Sequence, residues 1–355
     1  MNNIINYLKQ NESIYYPIAT LTFGYLLYNR YQNWNIKRKT LKPKNYKADK
    51  KNNTEYITLR NGYKTFYRIF NRHNFNKMPT LLLVHGFVGS SEYFLPLINE
   101  IKKNGRPCIA IDLYGRGGSD CPDLAYSPEN MRKQIEEFII MLNVPTPFDI
   151  LGYSMGGAVV AEFASQNLHL VRSAVFLCPM GLKPVTSSFI PPLLYLLNSL
   201  SKIVAGNYFD CYLGELVVDY VLMKGFRSKK GIANQWDDTS SKRYKDYEKH
   251  TLLRNKNEKH TLFRSVCSLV MHFNLWANMQ KRLIQLQGEK IPVLCLWGDK
   301  DTILPMETNQ FQELIPHAKV QIYEGFTHMF PIEFAEKAAV SIQQFWDESL
   351  MASIL

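Results

Sequence analysis

The sequence predicts an α/β fold built on a mainly parallel sheet, and three observations carry the prediction. Apolar runs of strand length recur at residues 79–84, 107–112, 148–151, 174–178, 291–297 and 320–323. Helical patterns at 127–142 and 333–345 lie among them, so strands alternate with helices. One run, Asp149-Ile-Leu-Gly-Tyr-Ser154, passes directly into a Gly-x-Ser-x-Gly turn and then into a helix with an apolar face at Val159, Val160, Phe163 and Ala164.

Composition places the chain among globular proteins: 355 residues, 46% hydrophobic and 21% charged, enough to bury a sizeable core. Its six cysteines (Cys108, Cys121, Cys178, Cys211, Cys267 and Cys295) form no Cys-x-x-Cys pair, which points to reduced thiols and away from a disulfide framework or a zinc site. The net charge of +11 is unevenly spread. Residues 1–55 and 223–264 each net +7, which leaves the remainder slightly acidic. No nucleic-acid module accompanies the two basic segments, so an anionic lipid surface is the expected partner, with an ordinary solvated basic face as the alternative.

Taken in order, residues 13–28 are uncharged and carry four tyrosines, a composition suited to a membrane interface, yet they fall short of the ~20 apolar residues of a spanning helix. A basic run from Arg30 to Lys51 follows. Residues 1–54 are therefore expected to form a membrane-proximal segment and basic linker, the alternatives being a packed helix or an organellar address. The implied location is membrane-associated and intracellular, on a mitochondrial or endoplasmic-reticulum membrane, with the remaining chain in a reducing compartment. Segments 55–60 and 64–70 flank Asn61-Gly62 and predict a β-hairpin with a tight turn.

The strand at 79–84 ends in His85-Gly86-Phe87-Val88-Gly89. A loop of this kind can present the Phe87 N–H beside that of Met155, giving two donors for an oxyanion near Ser154. His85 itself is expected to brace backbone. The next strand leads to Leu113-Tyr-Gly-Arg-Gly-Gly-Ser-Asp120, which lacks the Gly-Lys-Ser/Thr of a phosphate loop and predicts a tight turn beside the site. At 127–142, Ser127 caps a helix and Pro128 occupies its first turn. The glycines around Ser154 have a steric role, since side chains at Gly152 or Gly156 would collide across a sharp strand-to-helix turn.

Together, His85-Gly86-Phe87, the stretch from Asp112 to Asp120 and Gly152-Tyr-Ser-Met-Gly-Gly157 resemble the α/β-hydrolase superfamily across roughly residues 55–350. Cys178-Pro-Met-Gly-Leu182 and the membrane-proximal N-terminus look like the branch of monoacylglycerol-lipase-type membrane hydrolases. The resemblance implies a hydrolase core at 55–182 and 289–355, interrupted at 183–288 by a helical cap. It aligns Asp301, in Gly298-Asp-Lys-Asp-Thr-Ile-Leu-Pro305, with the catalytic acid, Asp299 being the rival. It places the catalytic histidine at His328, after the last strand, in the chain order Ser154, Asp301, His328.

The implied activity is serine ester hydrolysis of a lipid-like substrate, a monoacylglycerol or lysophospholipid, through an acyl-enzyme and without metal or organic cofactor. An idle hydrolase-fold scaffold in a membrane complex, using the basic 224–264 insertion for protein contacts, is the alternative from another class. A hydrolase of carbon–carbon or thioester substrates is a third.

Overall fold

The computed structural model describes residues 47–87, 89–182, 265, 268–269, 279–301, 303–304 and 308–354. The expected segment 13–29, most of the linker, and the basic insertion at 224–264 lie outside the described residues. Among the described residues no helix is long and apolar enough to cross a membrane.

Eight strands form one sheet. In chain order they are β1 (Thr54–Thr58), β2 (Lys64–Phe70), β3 (Leu81–Val84), β4 (Cys108–Ile111), β5 (Phe148–Tyr153), β6 (Val171–Leu177), β7 (Val293–Gly298) and β8 (Lys319–Tyr323). Across the sheet they run β1-β2-β4-β3-β5-β6-β7-β8. β1 and β2 pair antiparallel, as do β2 and β4; every later pairing is parallel. This is the architecture expected of strands separated by crossover segments. β3, β4 and β5 are buried along their whole length, which explains why their sequences read as continuous apolar runs and not as alternating ones.

Seven helices accompany the sheet among the described residues: α1 (Leu95–Ile101), α2 (Pro128–Leu142), α3 (Met155–Gln166), α4 (Gln280–Gly288), α5 (Thr308–Leu314), α6 (Phe330–Glu333) and α7 (Ala335–Ile354). α2 begins as its sequence predicts. The Ser127 hydroxyl accepts from the Asn130 N–H at 3.2 Å, and Asn143 ends the helix in the left-handed region at φ 52°. Its buried face is Met131, Gln134, Ile135, Phe138, Ile139 and Leu142, the three-four spacing of an amphipathic helix. α7 runs well past the stripe read from Phe334, Ala338, Ile342 and Phe345; the last three are buried, whereas Phe334 falls at the break between α6 and α7 and is only partly buried. α4, counted with the insertion on sequence, packs against α3, where the Arg282 Nε donates to Glu162 at 2.6 Å.

The hairpin expected around Asn61-Gly62 forms, and its turn is one residue longer than the tightest, two-residue kind. Leu59 N–H bonds the Tyr63 carbonyl at 2.9 Å and Gly62 N–H bonds the Leu59 carbonyl at 2.9 Å, so the loop has three residues with Gly62 at φ 82°. Leu59 is 2% exposed. Burying that side chain favours the longer loop, and Gly62 supplies the left-handed residue that such a loop requires.

At the far end of β5 from Ser154 lies a buried ion cluster. Asp149 accepts from Arg172 at 2.9 and 2.6 Å and also pairs with Arg106, whose guanidinium lies 3.4 Å over the ring of Trp346 in α7. The Trp346 indole donates to Ser173 at 3.2 Å. A carboxylate this deep is tolerable because two cations and a hydroxyl saturate it.

Candidate active site

β5 delivers Ser154 to the middle of the sheet and α3 starts one residue later. Ser154 sits at φ 53°, ψ −120°, a region that L residues seldom occupy. Neighbouring backbone holds it there. Its N–H donates to the Leu177 carbonyl at 2.9 Å, and its carbonyl accepts from Gly157 at 2.9 Å and Met180 at 3.0 Å. The expected steric demand is met: a Cβ on Gly152 would stand 2.4 Å from the Gly156 carbonyl oxygen, and one on Gly156 would stand 2.1 Å from that of Val84.

The loop after β3 closes on the same point. A Cβ on Gly86 would fall 3.0 Å from the Ser154 Cβ, so the Gly86–Phe87 peptide passes directly over the serine. Neither the Phe87 N–H nor the Met155 N–H donates to a described residue. Both donors belong to backbone next to the serine, Met155 following it in the chain and Phe87 following Gly86, and α3 starts there with the positive end of its dipole. His85 is fully buried; its Nε2 accepts from Leu113 N–H at 3.0 Å, which leaves Nδ1 to donate to the Gly86 carbonyl at 2.8 Å. Both nitrogens brace backbone, as expected.

Asp301 lies just beyond β7 and His328 beyond β8. Asp301 Oδ1 accepts from the Ile303 and Leu304 N–H groups at 3.0 and 2.8 Å, and Oδ2 is 2.7 Å from His328 Nδ1. Because a carboxylate only accepts, Nδ1 carries the proton and Nε2 is the basic nitrogen. The rival Asp299 is committed elsewhere: it accepts from Gly325 N–H at 2.6 Å and faces Lys300 at 3.0 Å. Gly298 permits the approach of the histidine loop, since a Cβ there would lie 2.2 Å from the Phe326 carbonyl oxygen.

Ser154, Asp301 and His328 are 6, 5 and 4% exposed. The hydrogen bonds of His328 among the described residues run to Asp301 and, through its carbonyl, to the Tyr153 hydroxyl at 3.1 Å; Nε2 and the Ser154 Oγ are not bonded to one another. The His328 ring centroid is 5.1 Å from that of Tyr153, the residue preceding the serine. Tyr153 in turn stacks on Tyr93 at 4.2 Å.

Three functional contributions escaped sequence reasoning. Tyr153 ties the histidine loop to the serine turn, and the only trace was an aromatic at the variable position of Gly-x-Ser-x-Gly. Cys178, taken for an ordinary core residue, stands at φ 43° with its Sγ, an Asp301 oxygen and a His328 nitrogen all within 4.8 Å of one another. Burial, reinforced by the Asp301 carboxylate, pushes its thiol well above the usual range, so it meets the acid–histidine pair as a neutral group. Those donors suit a metal poorly, because the thiol holds its proton and the aspartate and histidine already bind each other.

The third is Arg116, which belongs to the glycine-rich turn. The Asp112 carboxylate accepts from Ser91 N–H at 2.5 Å and Gly118 N–H at 2.8 Å, while a Cβ on Gly117 would sit 1.8 Å from Asp112 Oδ2. The turn folds around its own carboxylate, as a tight turn beside the site should. From it Arg116, 3% exposed, reaches the Phe87 carbonyl with Nε at 2.7 Å.

Comparison with known proteins agrees with this fold. A family model described as "alpha/beta hydrolase fold" matches residues 79–335. Lipase 1 of Psychrobacter immobilis is 26% identical over 276 residues, 75% of this chain and 76% of that protein. Monoacylglycerol lipase abhd6-B of Xenopus laevis is 31% identical over 282 residues, 75% of each chain. Among solved structures, the bromoperoxidase from Bacillus anthracis superposes with a TM-score of 0.64 at 18% identity, covering 83% of this chain and 99% of that one, a likeness of fold.

Proposed function

The chain belongs to the α/β-hydrolase fold family, and from that premise we propose that it is a serine hydrolase acting on a lipid-like carboxylic ester of the monoacylglycerol or lysophospholipid class. The observation that carries the proposal is the Asp301–His328 hydrogen bond of 2.7 Å, which orients the imaginary line of proton transfer by leaving Nε2 basic beside the strained Ser154 turn. His328 takes the Ser154 proton as Oγ attacks the ester carbonyl. The Phe87 and Met155 N–H groups hold the oxyanion, and each such donor is worth about 10²–10³ in rate. Imidazolium then protonates the departing alcohol, and the same imidazole activates water to release the acid.

Relatives named lipase and monoacylglycerol lipase support the ester class, as does the apolar stretch 189–204 of the sequence. The basic segments 1–55 and 223–264 are proposed to rest on an anionic membrane inside the cell. A fluorophosphonate probe tests the chemistry: wild type labels and Ser154→Ala does not. Absence of labelling in folded wild type would overturn the enzyme in favour of the scaffold, and turnover across esters of graded acyl length and head group then tests the substrate class. Deleting residues 1–34 is expected to reduce pelleting with anionic vesicles; unchanged pelleting would remove the anchor from the proposal.

A further inference from the structure

Arg116 makes bonds that the turn it belongs to does not need. Its Nε donates to the Phe87 carbonyl at 2.7 Å, and its Nη1 donates to the Gly115 carbonyl at 3.1 Å and to the Ser265 hydroxyl. Ser265 also donates to the Gly115 carbonyl at 3.0 Å, and it comes from the 183–288 segment, 150 residues along the chain from Gly115. Ser265 is fully buried. The contact is close enough that a Cβ on Gly115 would stand 2.3 Å from that of Ser265. One buried guanidinium thus spans the oxyanion loop, the glycine-rich turn and the segment inserted between β6 and β7.

We propose that Arg116 is a positioning residue for the oxyanion hole, and that Ser265 couples the 183–288 segment to it. The inference rests on the serine-hydrolase reading above. The Phe87 N–H belongs to the planar peptide whose carbonyl is that of Gly86, and that carbonyl is already gripped by His85 Nδ1 at 2.8 Å and Gly89 N–H at 3.2 Å. Arg116 holds the next peptide through the Phe87 carbonyl, so the loop is clamped on both sides of the Phe87 Cα and the peptide that carries the N–H cannot tilt away with its neighbour. A guanidinium suits the task because its rigid fork donates in several directions at once, whereas an ammonium is a single point. Through Ser265 the inserted segment thus helps to set the aim of a donor it does not supply.

The experiment compares wild type with Arg116→Ala, Arg116→Lys and Ser265→Ala, measuring kcat, KM and inhibition by an alkyl boronic acid, a tetrahedral mimic whose charge occupies the hole. Arg116→Ala is expected to lower kcat about 30- to 100-fold, less than outright loss of a donor, with KM within about twofold. Boronate affinity should fall in parallel with kcat/KM. Arg116→Lys should recover only part of the loss, and Ser265→Ala should cost about fivefold by the same pattern.

If Arg116→Ala does not fold, the lysine and serine variants decide on the same readouts. A kcat within twofold of wild type, or a loss carried by KM with boronate affinity unchanged, would overturn the inference. Those results come from an active wild type, so they are distinct from failure of the serine-hydrolase reading, in which wild type itself neither turns over ester nor labels.

Discussion

Replacing Ser154 by glycine should make the protein more stable than replacing it by alanine, the reverse of the usual order. Elsewhere alanine is preferred over glycine by about 0.5–1 kcal/mol, because glycine has more freedom to lose on folding. At φ 53°, ψ −120° a Cβ is instead strained, and occupancy of such a region costs of order 1–3 kcal/mol. The Ser154 Cβ also faces the Gly86 Cα closely enough that a methyl there would be 3.0 Å away.

Alanine keeps this strain and sheds only a hydroxyl that is not bonded to His328, so it is the proper reference. Subtracting the two effects leaves glycine ahead by about 1 kcal/mol. In urea, with a slope near 3 kcal/mol/M for a chain of this size, that is a rise in midpoint of about 0.3 M. Both variants lack the hydroxyl, so a comparison of their denaturation curves reads backbone energy alone. A midpoint for Ser154→Gly at or below that of Ser154→Ala would mean the turn is unstrained, and strain would then have no part in explaining how the hydroxyl is held.

Three further outcomes follow from the same coordinates. Gly156→Ala should cost about 3 kcal/mol or more, since its methyl would stand 2.1 Å from the Val84 carbonyl oxygen, whereas Gly288→Ala, with nothing within 4 Å, should be neutral or stabilising by up to ~1 kcal/mol; chemical denaturation of the pair checks both. Burial raises the Asp112 carboxyl above its ordinary value despite the Ser91 and Gly118 N–H groups, so its folded form binds a proton more tightly than its unfolded form. Wild type should therefore be most advantaged over Asp112→Asn in acid, the difference shrinking as pH rises through the folded-state value, and a difference that grows with pH in urea titrations would refute this. Burial pushes the Cys108 thiol up to about 12 and the Cys178 and Cys295 thiols up as well, so all three should resist iodoacetamide at pH 8 in the native protein and react once it is unfolded, as read by peptide mass spectrometry.

What could be read from the sequence was whatever a local rule dictates. Buried parallel strands must be apolar throughout, which is why β3, β5 and β7 stand out. A serine turn between a strand and a helix excludes side chains at Gly152 and Gly156, so its glycines mark it. Asp301 and His328 were picked out by the resemblance of their turns and chain order to the α/β-hydrolase superfamily, and each follows a strand of the parallel sheet.

What escaped was the choice of distant partners. Nothing near Tyr153 announces a bond to a carbonyl 175 residues away, and nothing near Arg116 announces Phe87 or Ser265. The Asn61-Gly62 signal named the turn correctly but not the residues that close it, Leu59 and Tyr63. The helices α1, α4 and α5 were also unassigned; each is at most nine residues long, too short for periodicity to speak.

The ion cluster under β5 has a consequence for how the protein comes into being. Trp346, which roofs Arg106 and bonds Ser173, leaves the ribosome 173 residues after that serine. At 5–20 residues per second the delay is roughly 9–35 s, during which two arginines and an aspartate keep their water and the base of the central strand stays wet. A nascent chain in that interval already carries Ser154 but lacks the dry floor that Trp346 completes beneath β5.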